Sequence, residues 1–308
     1  VAKKKKTEIQ LRIPDLSKGE KVQLSYSKLS LFQSCPREYY YRYLRADIKE
    51  KPTVWPGNLI GQVFHKVVQK TIESRNKGKK DTLIIAETKG KFHELYENEV
   101  EKHKDDYKKS KEIAMAKDKF WAKNDKLMLS LAKFILAYFY IDDGAKIIPE
   151  EEFNVLWKWD EEILIRGFLD IHQYNNKIKY HRIYDLKVTK DSNNYYFVDW
   201  DNAYQKMVYE YFLYSNYETL PELFCYLVLN REEKSLFFKE KRRISEFTVE
   251  TYFSKLHNEL QKVKKYTLNP DLSLANPKEK KCKWCAYNSI CDKKYISKYV
   301  KAVRKKKK

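Results

Sequence analysis

Four of the five cysteines fall in a pattern suited to holding a metal. Cys282, Cys285 and Cys291 stand as C-x2-C-x5-C in CKWCAYNSIC, and Cys35 lies near the other end, in SYSKLSLFQSCPREYYYRYL. Four thiols from two distant stretches make one ligand set only if the fold brings both ends together. The spacing therefore predicts a metal centre that acts as a staple across most of the chain. Short-spaced cysteine sets hold zinc or iron–sulfur clusters, and spacing does not separate the two. The fifth cysteine, Cys225, sits in the apolar run ELFCYLVL and reads as a buried thiol.

A second set of residues suits hydrolysis. GFLD (Gly167 to Asp170) is followed by YDLK (Tyr184 to Lys187) in a strand-rich stretch. Asp185 and Lys187 are two apart, so on a strand they point the same way. The position of Asp170 depends on register. A two-residue turn at Asn175 and Asn176 would set it opposite His181, with Asp185 on the order of 13 Å away. A longer loop, taking in 175–180, sets Asp170 against Asp185, and this is the register expected here. Two carboxylates and an ammonium group would then share a site for Mg²⁺ or Mn²⁺, both oxygen-seeking ions. Such an ion activates water for attack on a phosphodiester, and the lysine orients that water or steadies the developing negative charge. The rival reading is a plain cross-strand ion pair.

Three further features are weak singly. His65 follows Phe64 on a helical stretch and alone reads as a boundary residue. Gln205 and Tyr209, four apart in AYQKMVYEY, share a helix face. The run Glu150, Glu151, Glu152 could add a distal carboxylate, but reads more simply as a solvated edge.

The elements that must position these residues follow from periodicity. Residues 1–24 read as a basic, extended N-terminal segment. Ser27 is the expected N-cap of a helix through Phe32, and Pro36 opens a helix over 36–46. A helix is expected over 59–74, with Ile60, Val63, Phe64, Val67 and Val68 inward. Residues 76–145 are rich in charge, with helical patterns at 84–103 and 111–141, and read as a helical insertion. The period then switches to two, giving strands at Glu152–Trp159, Glu162–Gln173 and Ile178–Val188. A helix over Trp200–Tyr217, strands at Leu223–Asn230 and Leu236–Arg242, and a helix over Phe247–Tyr266 complete the pattern. Asn269, Pro270, Asn276 and Pro277 break the chain before the cysteines. The fold class is α/β, a mixed central sheet flanked by helices. The domain division is 1–24, a main domain over 25–292, and a basic tail over 293–308.

Composition narrows the partners. The 308 residues carry 63 Lys and Arg against 43 Asp and Glu, a net charge of +20, which points to nucleic acid. An odd cysteine count argues against a disulfide scaffold, VAKKKKTEIQ has no apolar segment behind its lysines, and no run is apolar enough for a bilayer. The expected setting is a reducing compartment, the cytoplasm, or a host's cytoplasm for a viral protein.

In order along the chain, the features are Cys35, His65, GxxD, DxK, QxxxY and C-x2-C-x5-C. This order resembles the RecB-type nucleases of the PD-(D/E)xK superfamily, and within them the iron–sulfur branch that includes the CRISPR-adaptation nuclease and AddB-type nuclease domains. The resemblance covers 25–75 and 150–292 and leaves 76–145 unexplained. It implies that His65, Asp170 and Asp185, with the main-chain carbonyl of Leu186, bind the catalytic Mg²⁺ or Mn²⁺. It makes Lys187 the catalytic lysine, and gives Gln205 and Tyr209 the task of positioning DNA or that lysine. Many relatives have Glu where Asp185 stands, but RecB-like members use Asp. The resemblance assigns Cys35, Cys282, Cys285 and Cys291 to a mainly structural [4Fe–4S] cluster, shielded by Trp284 and Tyr287. The function it implies is a DNA exonuclease on single-stranded or frayed ends, in recombination, repair, CRISPR adaptation or viral DNA processing. Helicase motifs are absent, so unwinding falls to a partner protein. The alternatives are a catalytically silent DNA-binding scaffold subunit of a larger complex and a zinc-stapled nucleic-acid-binding protein.

Overall fold

The computed structural model describes residues 10–48, 56–102, 117–139, 145–191, 203–233, 235–242 and 248–292. The lysine-rich ends and residues 103–116 of the expected insertion lie outside them. The chain divides into two compact units. One comprises Val1–Thr53, Asn154–Arg166 and Val249–Lys308, the other Val54–Phe153 and Gly167–Thr248. Among the described residues no helix is long and apolar enough to cross a membrane.

The first unit holds β1 (Val22–Leu24), α1 (Tyr26–Ser34) and α2 (Pro36–Tyr39). Two expectations change here. Ser25, not Ser27, caps α1, its hydroxyl accepting from the Lys28 N–H at 3.3 Å. The helix expected over 36–46 is a single α turn that widens into a π turn over Tyr40–Leu44. Within the stretch read as extended, Val22–Leu24 pairs parallel with Ile163–Ile165. The last long helix, α7 (Val249–Leu268), packs on α1 and β1 through its apolar stripe Phe253, Leu256, Leu260 and Val263. Phe32, Tyr39 and Tyr266 meet edge to face, and the Tyr39 hydroxyl lies 2.9 Å from Thr267 Oγ1. Short helix α8 (Glu279–Trp284) follows.

The second unit begins with α3 (Pro56–Asn76), α4 (Asp81–Lys102) and α5 (Lys117–Tyr138). Strands β2 (Ala145–Trp157) and β3 (Asp160–Asn175) form a hairpin shared between the units by residue membership. β3 pairs antiparallel with β4 (Tyr180–Thr189), β4 parallel with β5 (Leu223–Asn230), and β5 antiparallel with β6 (Ser235–Arg242). The parallel step needs a crossover, supplied by α6 (Tyr204–Tyr217). All eight residues of β5 are buried, as a central strand covered on both faces requires. One face packs on α3, α4 and α5, where Phe64, Val67, Phe92 and Leu131 meet Ile171, Tyr184, Leu186 and Leu227. The alternating residues Asp185 and Lys187 point the other way, to α6.

The hairpin strands do not keep one phase. Ile147 and Ile171 lie in the α3–α5 core. Phe153 instead stacks on Phe212 of α6, ring centroids 4.9 Å apart, and a Cβ on Gly167 would stand 2.7 Å from its ring. Residues an even number apart on an unbroken strand share a face. Ile147 and Phe153 break this rule, and so do Gly167 and Ile171, so both strands switch phase in between. In β2 the switch falls at Glu150, whose φ of 51° is left-handed, as a β-bulge permits.

A buried histidine pair joins β3 to β4 further along. His172 Nδ1 stands 2.5 Å from Glu151 Oε2, and its Nε2 lies 3.0 Å from Nδ1 of His181, with Tyr174 and Tyr217 against the rings. A nitrogen–nitrogen hydrogen bond needs one bare acceptor. Burial, followed by the neighbouring His172, pushes His181 down to about 4. The folded value is below the unfolded one. Stability from this group is therefore full above about pH 6.5 and is lost as pH falls towards 4, a loss of at most about 3 kcal/mol. The urea midpoint should fall between pH 7 and pH 5, and fall less in His181→Gln; parallel pH profiles of the two proteins would remove His181 as the cause.

Candidate active site

The site forms where the hairpin strands change phase. The β3–β4 ladder runs to Ile171 opposite Tyr184, which brings Asp170 beside Asp185 through the longer of the two loops considered. Asp170 Oδ2 accepts from the Leu186 N–H at 2.7 Å, a side chain standing in for the next ladder bond. Its Oδ1 lies 3.4 Å from His65 Nδ1 on α3, and Glu150 Oε1 lies 3.7 Å from the same nitrogen. His65, Glu150 and Asp170 are the one set of three or more His, Cys, Asp or Glu ligand atoms, among the described residues, within 4.8 Å of one another. A nitrogen and two carboxylate oxygens suit Mg²⁺ or Mn²⁺ better than a thiophilic ion.

Asp185 is only 1% exposed, and its needs are met from one side chain above all. Gln205, at the start of α6, donates from Nε2 to Asp185 Oδ1 at 2.6 Å and to the Tyr209 hydroxyl at 3.0 Å. Its Oε1 accepts from Lys187 Nζ at 2.9 Å. Lys187 Nζ is also 2.5 Å from Asp185 Oδ2, an atom that accepts no well-directed hydrogen bond among the described residues. One amide thus ties the acid, the lysine and the tyrosine together. Helix spacing puts Gln205 and Tyr209 on one face, and the crossover after β4 starts α6 next to the strand that carries Asp185 and Lys187.

The electrostatics favour positive charge. Burial pulls His65 down, but the Asp170 and Glu150 carboxylates outweigh it and push the imidazole up to about 10. Burial raises the Asp185 carboxyl, with Lys187 opposing and Asp170 adding to the rise. Burial, reinforced by Asp185 and Asp170, raises the Tyr209 phenol well above its ordinary range. The phenol therefore serves as a neutral hydrogen-bonding group. The residues open onto a cleft of about 660 Å³.

Sequence reasoning placed His65, Asp170, Asp185, Leu186, Lys187, Gln205 and Tyr209 in one site, and all seven line this cleft. The recorded role of Leu186 is through its N–H, to Asp170. Asp185 is held by Lys187 and Gln205 and lies outside the converging trio, where Glu150 stands instead. Of the run read as a solvated edge or a distal carboxylate, Glu152 is exposed, whereas Glu150 faces His65 and Glu151 holds His172. The signal was three consecutive carboxylates entering a strand, but the bulge that turns Glu150 inward has no motif.

A second concavity lies in the first unit. Cys35, Cys282, Cys285 and Cys291 all line it. Cys35 ends α1 and begins α2, and Cys285 follows α8. The Tyr287 ring stacks on Tyr41 at 5.6 Å, and Arg37 pairs with Asp292 at 2.6 Å beside Cys291. Burial pushes the Cys285 thiol up to about 11, so a cation is needed to draw off its proton. No three of the sulfurs lie within 4.8 Å of one another. Four soft donors around one space fit a metal group chemically. The Trp284 side chain lies outside the described residues.

A family model for the PD-(D/E)XK nuclease superfamily matches residues 23–292. The chain belongs to this superfamily, whose members are typically metal-dependent nucleases acting on nucleic acid. No curated protein matches the sequence.

The left-handed backbone at Glu150 supplies a test, because a non-glycine residue there costs about 1–2 kcal/mol. Glu150→Gly should keep or raise thermal stability while weakening Mn²⁺ binding roughly tenfold or more. Calorimetric titration with Mn²⁺ beside a thermal melt checks both, and undiminished Mn²⁺ affinity would exclude Glu150 as a ligand.

Proposed function

We propose that this chain is a metal-dependent deoxyribonuclease of the RecB-type iron–sulfur branch, acting as an exonuclease on single-stranded or frayed ends. The observation that carries the reading is the junction of His65, Glu150 and Asp170 with the Gln205-bound pair Asp185 and Lys187 in one cleft. His65, Glu150 and Asp170 would hold Mg²⁺ or Mn²⁺, with Asp185 as a further ligand once it turns from Lys187. When bound, such an ion supplies the charge that activates water and neutralises the phosphoryl oxygens.

The chain's own groups divide the remaining work. Lys187 orients the attacking water and steadies negative charge as it develops. Gln205 holds the ammonium group in place without competing for its charge, since an amide oxygen accepts and remains neutral. Tyr209 keeps the Gln205 amide from flipping by accepting from Nε2. The net charge of +20 attracts the polyanionic substrate.

The four cysteines that line one concavity support a [4Fe–4S] cluster in a structural role. A tetrahedral zinc site needs sulfurs about 4 Å apart, from a Zn–S bond near 2.3 Å. A helicase or a recombination or adaptation protein would supply unwinding, and the setting would be a reducing compartment.

Lys187→Ala should lower Mg²⁺- or Mn²⁺-dependent cleavage of end-labelled single-stranded DNA roughly 10²–10³-fold. Full activity in that variant would overturn the site assignment, and a panel of single strands, duplexes and flaps sets the polarity. Protein purified without oxygen should contain about four iron and four sulfide per chain, lost in Cys35→Ser. Stoichiometric zinc without iron would replace the cluster with a zinc staple.

A further inference from the structure

Helix α3 has two unlike sides. Leu59, Val63, Phe64, Val67 and Val68 fill the core, whereas Gly61, Gln62, His65, Lys66 and Gln69 line the cleft. The cleft side carries two amides, a glycine and two basic residues, and no acid. Lys66 is bonded to Glu99, which Lys102 also neutralises at 2.8 Å, so this corner keeps one net positive charge.

Gly61 is the odd residue. Glycine is the poorest helix former apart from proline. Gly167 is required by packing, because Phe153 occupies the space its Cβ would need. Gly61 has no such reason: no described atom lies within 4 Å of where its Cβ would stand, and its φ is not left-handed. What lies beyond its Cα is the cleft. It stands four residues before His65, and Gln69 four after, so the three positions lie at steps of about 6 Å along one helix face. That repeat is comparable to one nucleotide unit of an extended strand.

We propose that this face of α3 is the track of the substrate strand, with its sugar–phosphate backbone passing closest at Gly61. The Gln62 amide and the second N–H of the Gln69 amide, whose Nε2 also donates to Glu73 Oε1 at 2.9 Å, donate to phosphate oxygens either side of the one at His65. Glycine is used at Gly61 because a ligand backbone fills the place of a side chain. The proposal rests on the nuclease reading for the identity of the strand, but binding tests it separately from cleavage.

Gly90 provides the control. It lies within α4, is exposed, has no described atom within 4 Å of its would-be Cβ, and does not line the cleft. Affinity for a short fluorescein-labelled single-stranded DNA is measured by polarisation with Ca²⁺ replacing Mg²⁺, beside thermal melts. Both Gly61→Ala and Gly90→Ala should raise the melting temperature by roughly 1–4 °C. Gly61→Ala alone should weaken DNA binding, by about tenfold or more. Lys66→Met should reduce the slope of log affinity against log salt by about 0.7. Wild-type affinity in Gly61→Ala, equal losses in the two glycine variants, or a lowered melting temperature in Gly61→Ala would each overturn the proposal. So would a wild-type protein that does not bind the strand. A wild type that binds but does not cleave with Mg²⁺ or Mn²⁺ sinks the nuclease reading, while the glycine pair still decides the track.

Discussion

Burying the Asp185 carboxylate is the constraint on which the candidate site turns. A carboxylate that is 1% exposed is tolerated only with charge and hydrogen bonds supplied around it. Lys187 supplies the charge and the Gln205 amide supplies the bond, and the same amide steadies the lysine. Gln205 can do this because the β4–α6–β5 crossover starts α6 beside the strand bearing Asp185 and Lys187. The parallel pairing of β4 with β5 is therefore part of the site's chemistry as well as of its architecture.

The phase change in the hairpin plays the complementary part. A regular strand shows alternate residues to opposite faces, so it would send Glu150 and Asp170 wherever parity dictated. The bulge at Glu150 and the switch near Asp170 turn both carboxylates to His65 instead. Bulges next to active sites commonly re-aim side chains in this way. The left-handed residue is a local strain that the surrounding hairpin sustains.

The cleft at His65 and the concavity at the cysteines differ in how their charges are balanced. At the His65 cleft two carboxylates converge on an imidazole, and their repulsion is relieved by Lys187 and by charge on that imidazole. At the cysteine concavity, burial holds the Cys285 thiol in its protonated form.

Much was legible in the sequence because it depends on local spacing. Asp185 and Lys187 share a strand face, Gln205 and Tyr209 a helix face, and the apolar stripes of α3 and α7 are visible as periodicity. The strand pair expected at 223–230 and 236–242 was equally plain, since β5 is apolar up to Asn230 and a polar turn follows it. Glu150 was not legible, because a bulge breaks the parity that any pattern-based reading relies on, and a run of three glutamates looks the same on a solvated edge. Nor was β1, whose three residues gain strand character only from pairing with Ile163–Ile165. The sequence determined which side chains could act together along each element. Only the tertiary structure decided which elements meet, because register, crossover and phase are set by packing between residues far apart in the chain.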